Sequence, residues 1–405
     1  NSTIENNSAG TDGGGAYLDA GTLDFSGWWG LSGNSAGANG GGLAVSGTGN
    51  AGFTSSTAGS SILNNHASGH GGALYLGNTT TLELHSTKGY LLSLSGNYAG
   101  GNGGAAYGNG GGYFDVYGKV VVTANRATAG NGGAFYLSNG TRLWFDDYVN
   151  DEPEIRVNWA QNGGAIYAVD SPKVDCDGAS FGYAPEGNYT TAGSGGAIYL
   201  LNSTFSAENC TFINNMATGD GGAIAAYTST LEIIANYLTP LKTPERPDAQ
   251  EIFNPDEIKA TGCNPLAGQC SSLSGNLADS DGNTVGNGGA IYSNGSNLSL
   301  SSTYLHHNQA TRGGAIYQEG AGALADLSNT LIYANSVSVT LGAGIRSAAG
   351  TFNLAHTTLA DNLGGSGFSG TANLVTNSIA WGNSAIGFST TPLSATCNID
   401  DGGYA

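Results

Sequence analysis

The chain has 405 residues, 69 of them glycine, with only 10% charged and a net charge of −19 at pH 7. That balance leaves no basic surface for nucleic acid or anionic lipid, and no 18-residue apolar run is present to span a bilayer as a helix. Glycine without a triplet period excludes collagen, and recurring aliphatic positions argue against a disordered low-complexity chain.

The chain opens inside a repeat, at Asn1-Ser2-Thr3-Ile4, which predicts that a leader or a preceding region has been removed. A signature of Gly-Gly, alanine, an aliphatic residue and tyrosine then recurs. Loose copies start at Gly14, Gly41, Gly103, Gly132 and Gly221. Full copies run Gly71 to Tyr75, Gly163 to Tyr167, Gly195 to Tyr199, Gly288 to Tyr292 and Gly313 to Tyr317. Successive copies lie 27, 30, 32, 29, 31, 32, 26, 67 and 25 residues apart, a period that marks a solenoid and is too short for a propeller blade of about 40. Upstream of most copies stands asparagine with alanine two residues on, as in Asn65-His66-Ala67 and Asn158-Trp159-Ala160. Before the asparagine comes an alternating run, such as Thr79 to Leu84 or Asn297 to Leu305, which reads as strand. No window carries a 3.6-residue period.

Strand–turn units of this kind stack at about 4.8 Å per rung. Asparagine tolerates the left-handed conformation of a sharp corner and bonds side chain to side chain along a stack. The predicted fold is all-β: a single right-handed parallel β-helix over residues 1–405, about a dozen rungs and roughly 60 Å long, with three short strands per turn. If the aliphatic residue of the signature points inward, alternation turns Tyr75, Tyr107, Tyr136, Tyr167, Tyr199, Tyr292 and Tyr317 outward, as a candidate binding strip for sugar rings or a neighbouring solenoid. A narrow core has few partners for seven hydroxyls, which favours this parity.

Departures from the repeat follow in chain order. His70 in Gly69-His70-Gly71 reads as a turn residue. Asp146, Asp147, Asp151, Glu152 and Glu154 gather beside Trp144, where paired carboxylates would suit glycoside hydrolysis and a solvated loop is the plainer reading. Cys176 and Cys210 lie about one period apart and are expected to bridge adjacent rungs. Residues 236–286 form a proline-rich, charged insertion, with Cys263 and Cys270 spaced for a disulfide of their own. At its end, Asp279-Ser280-Asp281-Gly282-Asn283 resembles half of a calcium loop, giving Asp279, Asp281 and Asn283 as candidate ligands; no other cofactor is expected. Sequons at Asn78, Asn139, Asn188, Asn202, Asn294 and Asn297 matter only in a glycosylating pathway. Cys397 is left unpaired. Neither end carries a polar cap, which predicts either a piece of a longer protein or head-to-tail self-association into filaments, with Ile4, the 374–381 strand and Cys397 at the junction.

The Gly-Gly-Ala-Ile motif, the Phe212-Ile213-Asn214-Asn215 element and the terminal Thr376-Asn377-Ser378-Ile379-Ala380-Trp381-Gly382-Asn383 segment resemble those of polymorphic outer-membrane proteins and of autotransporter-passenger-like bacterial surface β-helices. The resemblance implies a non-catalytic extracellular or cell-surface protein used in adhesion or as structural material, with carbohydrate or another surface receptor as partner. The competing reading is a polysaccharide-binding or polysaccharide-degrading β-helix, a lyase or hydrolase.

Overall fold

The computed structural model describes residues 2–400 except 58, 79, 88, 148–150, 171–172, 236–270 and 390–393. Among these residues there is no helix, and the strands form four parallel sheets that wind as a β-solenoid of about 11 turns. One turn shows the plan. Leu92–Ser95 lies in sheet I, Tyr98–Ala99 in sheet II, Ala106–Asn109 in sheet III and Tyr113–Tyr117 in sheet IV; Val120–Thr123 then returns to sheet I one rung on. The sheets hold 14, 11, 12 and 13 strands.

The expectation of three strands per turn is therefore corrected to four. The alternating run over Asn297 to Leu305 is two strands, Asn297–Ser301 and Tyr304–His306, turned at Ser302 with φ +53°. The inward aliphatic positions shift at this corner, from Leu298 and Leu300 before it to Leu305 after it, a change of parity that a reading of the run as one strand passes over. The dipeptide after each ladder asparagine from Asn7 to Asn335, as in His66–Ala67, is a short strand of its own.

The signature's parity is as expected. Leu74, Phe135, Ile166, Ile198, Ile291 and Ile316 are wholly buried in one continuous core. The Gly-Gly pair has two separate causes. Gly71 has φ +64°, in the left-handed region. A Cβ on Gly72 would stand 2.1 Å from the carbonyl oxygen of Gly104 on the next rung, and Gly104 meets Gly133 at the same distance. The backbones pass too closely at this corner for any side chain.

The asparagines form the spine. Asn7, Asn34, Asn65, Asn97, Asn125, Asn158, Asn188, Asn215, Asn276, Asn308, Asn335, Asn362 and Asn383 stack without a break, each donating its backbone N–H and side-chain Nδ2 to the Oδ1 of the next. Asn188 is wholly buried in this ladder, so its sequon is out of reach in the folded chain.

Cys176 and Cys210 are bonded, Cα to Cα 6.4 Å, and tie neighbouring rungs as expected. Cys263 and Cys270 lie outside the described residues. So does the insertion as far as residue 270; Ser272–Ser274 and Leu277–Ala278 are already back in sheets I and II. Ser2–Glu5, which holds Ile4, is the first strand of sheet I among the described residues. The segment 374–381, expected at a subunit junction in the filament case, is not the last rung among the described residues: Ser394–Thr396 and Ile399–Asp400 pair onto it. Cys397 is free and exposed.

Candidate functional site

Two outward columns, one on sheet III and one on sheet IV, bring together the side chains singled out above. On sheet III the register pairs Tyr75 with Tyr107, Tyr107 with Tyr136, Tyr136 with Tyr167 and Tyr167 with Tyr199. Their rings stack with centroids 5.3, 5.0, 5.3 and 4.7 Å apart and interplanar angles of 3–5°. On the next rung Ala225 opposes Tyr199, and Tyr227, two residues on, fills the gap. Its ring lies 5.1 Å from Tyr199 and 5.4 Å from Tyr292, and the ladder ends with Tyr292 and Tyr317 at 5.8 Å. Sequence reasoning missed Tyr227; its signal was alanine in the tyrosine place with a tyrosine two positions later.

This stacking changes what the ladder offers. Each ring covers the face of the next, so the strip presents edges and hydroxyls rather than a platform of open faces. Tyr292 and Tyr317 are buried, and both hydroxyls donate to the Glu319 carboxylate, Tyr317 at 3.4 Å. Burial raises the pKa of the half-buried rings, and the Tyr136 phenol, next to Tyr107 and Tyr167, is pushed up to about 12. The strip is uncharged at neutral pH.

His70 is more than a turn residue. It stacks on Tyr107 at 4.7 Å, donates its backbone N–H to Asn39 Oδ1 and accepts the Asn102 N–H at Nδ1. It is one link of a second ladder through Asp12, Asn39, His70, Asn102, Asn131, Asn162, Ser194, Asp220 and Asn287. Burial lowers its pKa, which keeps Nδ1 free to accept.

On sheet IV the outward column reads Asp24, Gly52, Glu83, Asp115, Trp144, Asp175, Ser206, Glu232, Ser299, Asp326 and Asn353, one per rung. His85 Nε2 meets Asp115 at 3.0 Å, Lys173 meets Asp175 at 2.6 Å, and Trp144 Nε1 donates to Asp175 at 2.7 Å. Beside it, Asp146 and Asp177 end successive strands, and Glu208 pairs with Asp177 on the next rung. Burial, then Glu208, Asp147 and Asp146, push Asp177 up to about 6. The acidic run expected near Trp144 is dispersed. Asp151 accepts the Gly89 N–H, and Glu154 pairs with Arg156, which also binds Glu186 at 2.7 Å. Asp177 and Glu208, a rung or more away, were not linked to it from sequence.

Asp279, Asp281 and Asn283 sit in the turn after Leu277–Ala278. Both Asp279 oxygens accept the Thr284 N–H, the Thr311 hydroxyl adds a third bond, and Asp281 accepts from Asn283. Among the described residues no three His, Cys, Asp or Glu side chains gather as metal ligands.

The model of the Chlamydia polymorphic membrane protein repeat matches residues 209–227. Those residues hold Phe212-Ile213-Asn214-Asn215 and Gly221-Gly222-Ala223-Ile224, and they supply strands to sheets I, II and III of one turn. Repeat and fold together are those of a polymorphic-membrane-protein-like, passenger-like β-solenoid. No curated protein and no solved structure matches the chain.

Proposed function

We propose that this chain is the displayed solenoid of a bacterial surface protein, a non-catalytic scaffold whose outer columns serve in adhesion. The repeat match to a membrane-protein family supports the surface location. The observation that carries the reading is the length over which the outward columns keep register, from Tyr75 to Tyr317 on sheet III and from Asp24 to Asn353 on sheet IV. Such a surface is built by repetition along a line, which suits multivalent attachment. Beads coated with the purified chain are expected to attach to host epithelial cells. Changing Tyr136, Tyr167 and Tyr199 to serine is expected to weaken attachment while circular dichroism stays β-rich. Beads that attach no better than ones coated with an acidic globular protein refute the reading.

A second reading has one observation in its favour. Asp177, half-protonated near pH 6, stands about 4.8 Å in rung height from Glu208. Two carboxylates on adjacent rungs, one of them protonated to a higher pH than usual, are the groups that glycoside hydrolysis uses as acid and base or nucleophile. Release of reducing ends from a polysaccharide, lost in Asp177→Asn, would establish it; no release from a panel of plant and bacterial polysaccharides removes it.

A further inference from the structure

Among the described residues, the column from Asp24 to Asn353 on sheet IV carries an outward side chain on every rung but one. Gly52 stands between Asp24 on the rung before and Glu83 on the rung after, in register with both. The missing side chain leaves an open notch of about 180 Å³ above Ala51, edged by Thr22, Asp24, Asn50, Thr81, Glu83 and Tyr113. That is small beside the roughly 300–1,000 Å³ of drug-sized pockets and is on the scale of a single ring.

The edges are chemically free to bind. No hydrogen bond or ion pair engages the Asp24 or Glu83 carboxylate among the described residues. Asn50 Oδ1 already accepts the Thr81 N–H at 3.0 Å, which leaves its NH₂ group to donate outward. Thr22 and Thr81 add hydroxyls that both donate and accept. Tyr113 gives the notch an apolar flank and is steadied by Trp144, edge-on at 5.0 Å. The strands that carry the two carboxylates are two rungs apart, about 9–10 Å along the axis, and Asp24 Oδ1 leans toward the Gly52 rung between them. A ring seated between them can donate a hydroxyl to each, in charge-assisted bonds of about 2.5–2.7 Å.

The geometry points to the Gly52 notch as a binding site for one pyranose unit of a neutral oligosaccharide. Paired acceptors, an amide donor, two hydroxyls and an aromatic flank match the hydroxyls and C–H face of such a ring. Uronic or sialic acid units would bring a third carboxylate between Asp24 and Glu83 on a chain of net charge −19. The site goes beyond the adhesive reading and stands whether or not the chain attaches to cells.

Gly52 supplies the test. A Cβ there would stand 2.8 Å from Asp24 Oδ1, the mobile tip of an exposed side chain, and otherwise meets no backbone. Gly52→Ala therefore folds, pushes the Asp24 carboxylate aside and narrows the floor of the notch. Cellotriose, mannotriose, maltotriose and trigalacturonate are titrated into the purified chain and followed by saturation-transfer NMR and calorimetry. At least one neutral trisaccharide is expected to bind at millimolar strength, and trigalacturonate not at all. Gly52→Ala, with an unchanged melting temperature, and Glu83→Gln are each expected to weaken binding about tenfold or more. Binding that survives both substitutions, silence from all three neutral sugars, or tighter binding by trilysine overturns the assignment; trilysine would mark the notch as a seat for a cationic side chain. None of these results bears on bead attachment, so this inference and the adhesive reading fail separately.

Discussion

Replacing Asn158 tests the spine where its bonds are best defined. Its Oδ1 accepts the backbone N–H and the Nδ2 of Asn125, each at 3.0 Å. Its own Nδ2 donates to Val122 O at 2.9 Å, Arg156 O at 3.0 Å and Asn188 Oδ1 at 3.0 Å. Asn158→Ala orphans two buried N–H groups of Asn125, at about 1–3 kcal/mol each, while the carbonyls losing a donor cost less because each has a second lone pair. The expected loss is about 3–5 kcal/mol. Asn158→Asp keeps the shape and the acceptor but turns an oxygen toward three oxygens in a site with no exposure. At pH 7 it should therefore be worse than alanine. Burial and those oxygens raise the folded-state pKa of the new carboxyl above its unfolded value of about 3.9, so its penalty shrinks as pH falls through the folded value. Urea unfolding at pH 7 and pH 4.5 reads the order. Because a solenoid opens in parts, hydrogen exchange at the Asn125 amide reads the local event. An Asn125 amide as protected in Asn158→Ala as in the wild type, or an aspartate variant as stable as the wild type at pH 7, would refute the ladder as the source of stability.

Burial and then His307 lower His306 to about pKa 4, against about 6.5 unfolded, so its contribution is complete above pH 6.5 and is lost as pH falls toward 4, at most about 3 kcal/mol. His306→Gln should flatten the pH dependence of the urea midpoint over that range, and an unchanged slope would count against it. Gly72→Ala, which drives a Cβ into the Gly104 carbonyl at 2.1 Å, should cost more than about 3 kcal/mol, in contrast to the tolerated Gly52→Ala; equal melting temperatures for the two would refute the close-approach account. Removing the Cys176–Cys210 bond, which closes a loop of 34 residues, should lower stability by up to about 3–4 kcal/mol, measured as the difference between oxidised and reduced urea curves.

Much of the fold was legible because repetition amplifies weak signals. One Asn-x-Ala says little, but its recurrence upstream of Gly-Gly marked the corner and the ladder; the inward parity of Ile166 or Ile198 was favoured on another ground, the want of core partners for seven hydroxyls. The second ladder was not legible. Any group that reaches the next rung's N–H can serve there, so Asp12, His70 and Ser194 share a role without sharing a residue type. The sheet IV column was hidden for a related reason. Asp24, Gly52 and Glu83 are neighbours only in register, and rungs of unequal length scramble that register along the chain. Gly52 reads as one glycine among 69 until the two carboxylates beside it are known.

The spine ignores how much chain separates its links. Asn188 and Asn215 are 27 residues apart and Asn215 and Asn276 are 61 apart, yet both side-chain bonds measure 3.0 Å. Ile234 pairs onward with Ser301, and Thr211 with Ser272, so the rungs on either side of residues 236–270 close on each other directly. Because the entropic cost of closing a loop grows only slowly with its length, this position works as a graft point. A foreign peptide or a whole domain with closely spaced termini, exchanged for residues 236–270, is expected to leave those rung pairings in place, with the solenoid as a fixed mount that sets where along its length the cargo is held.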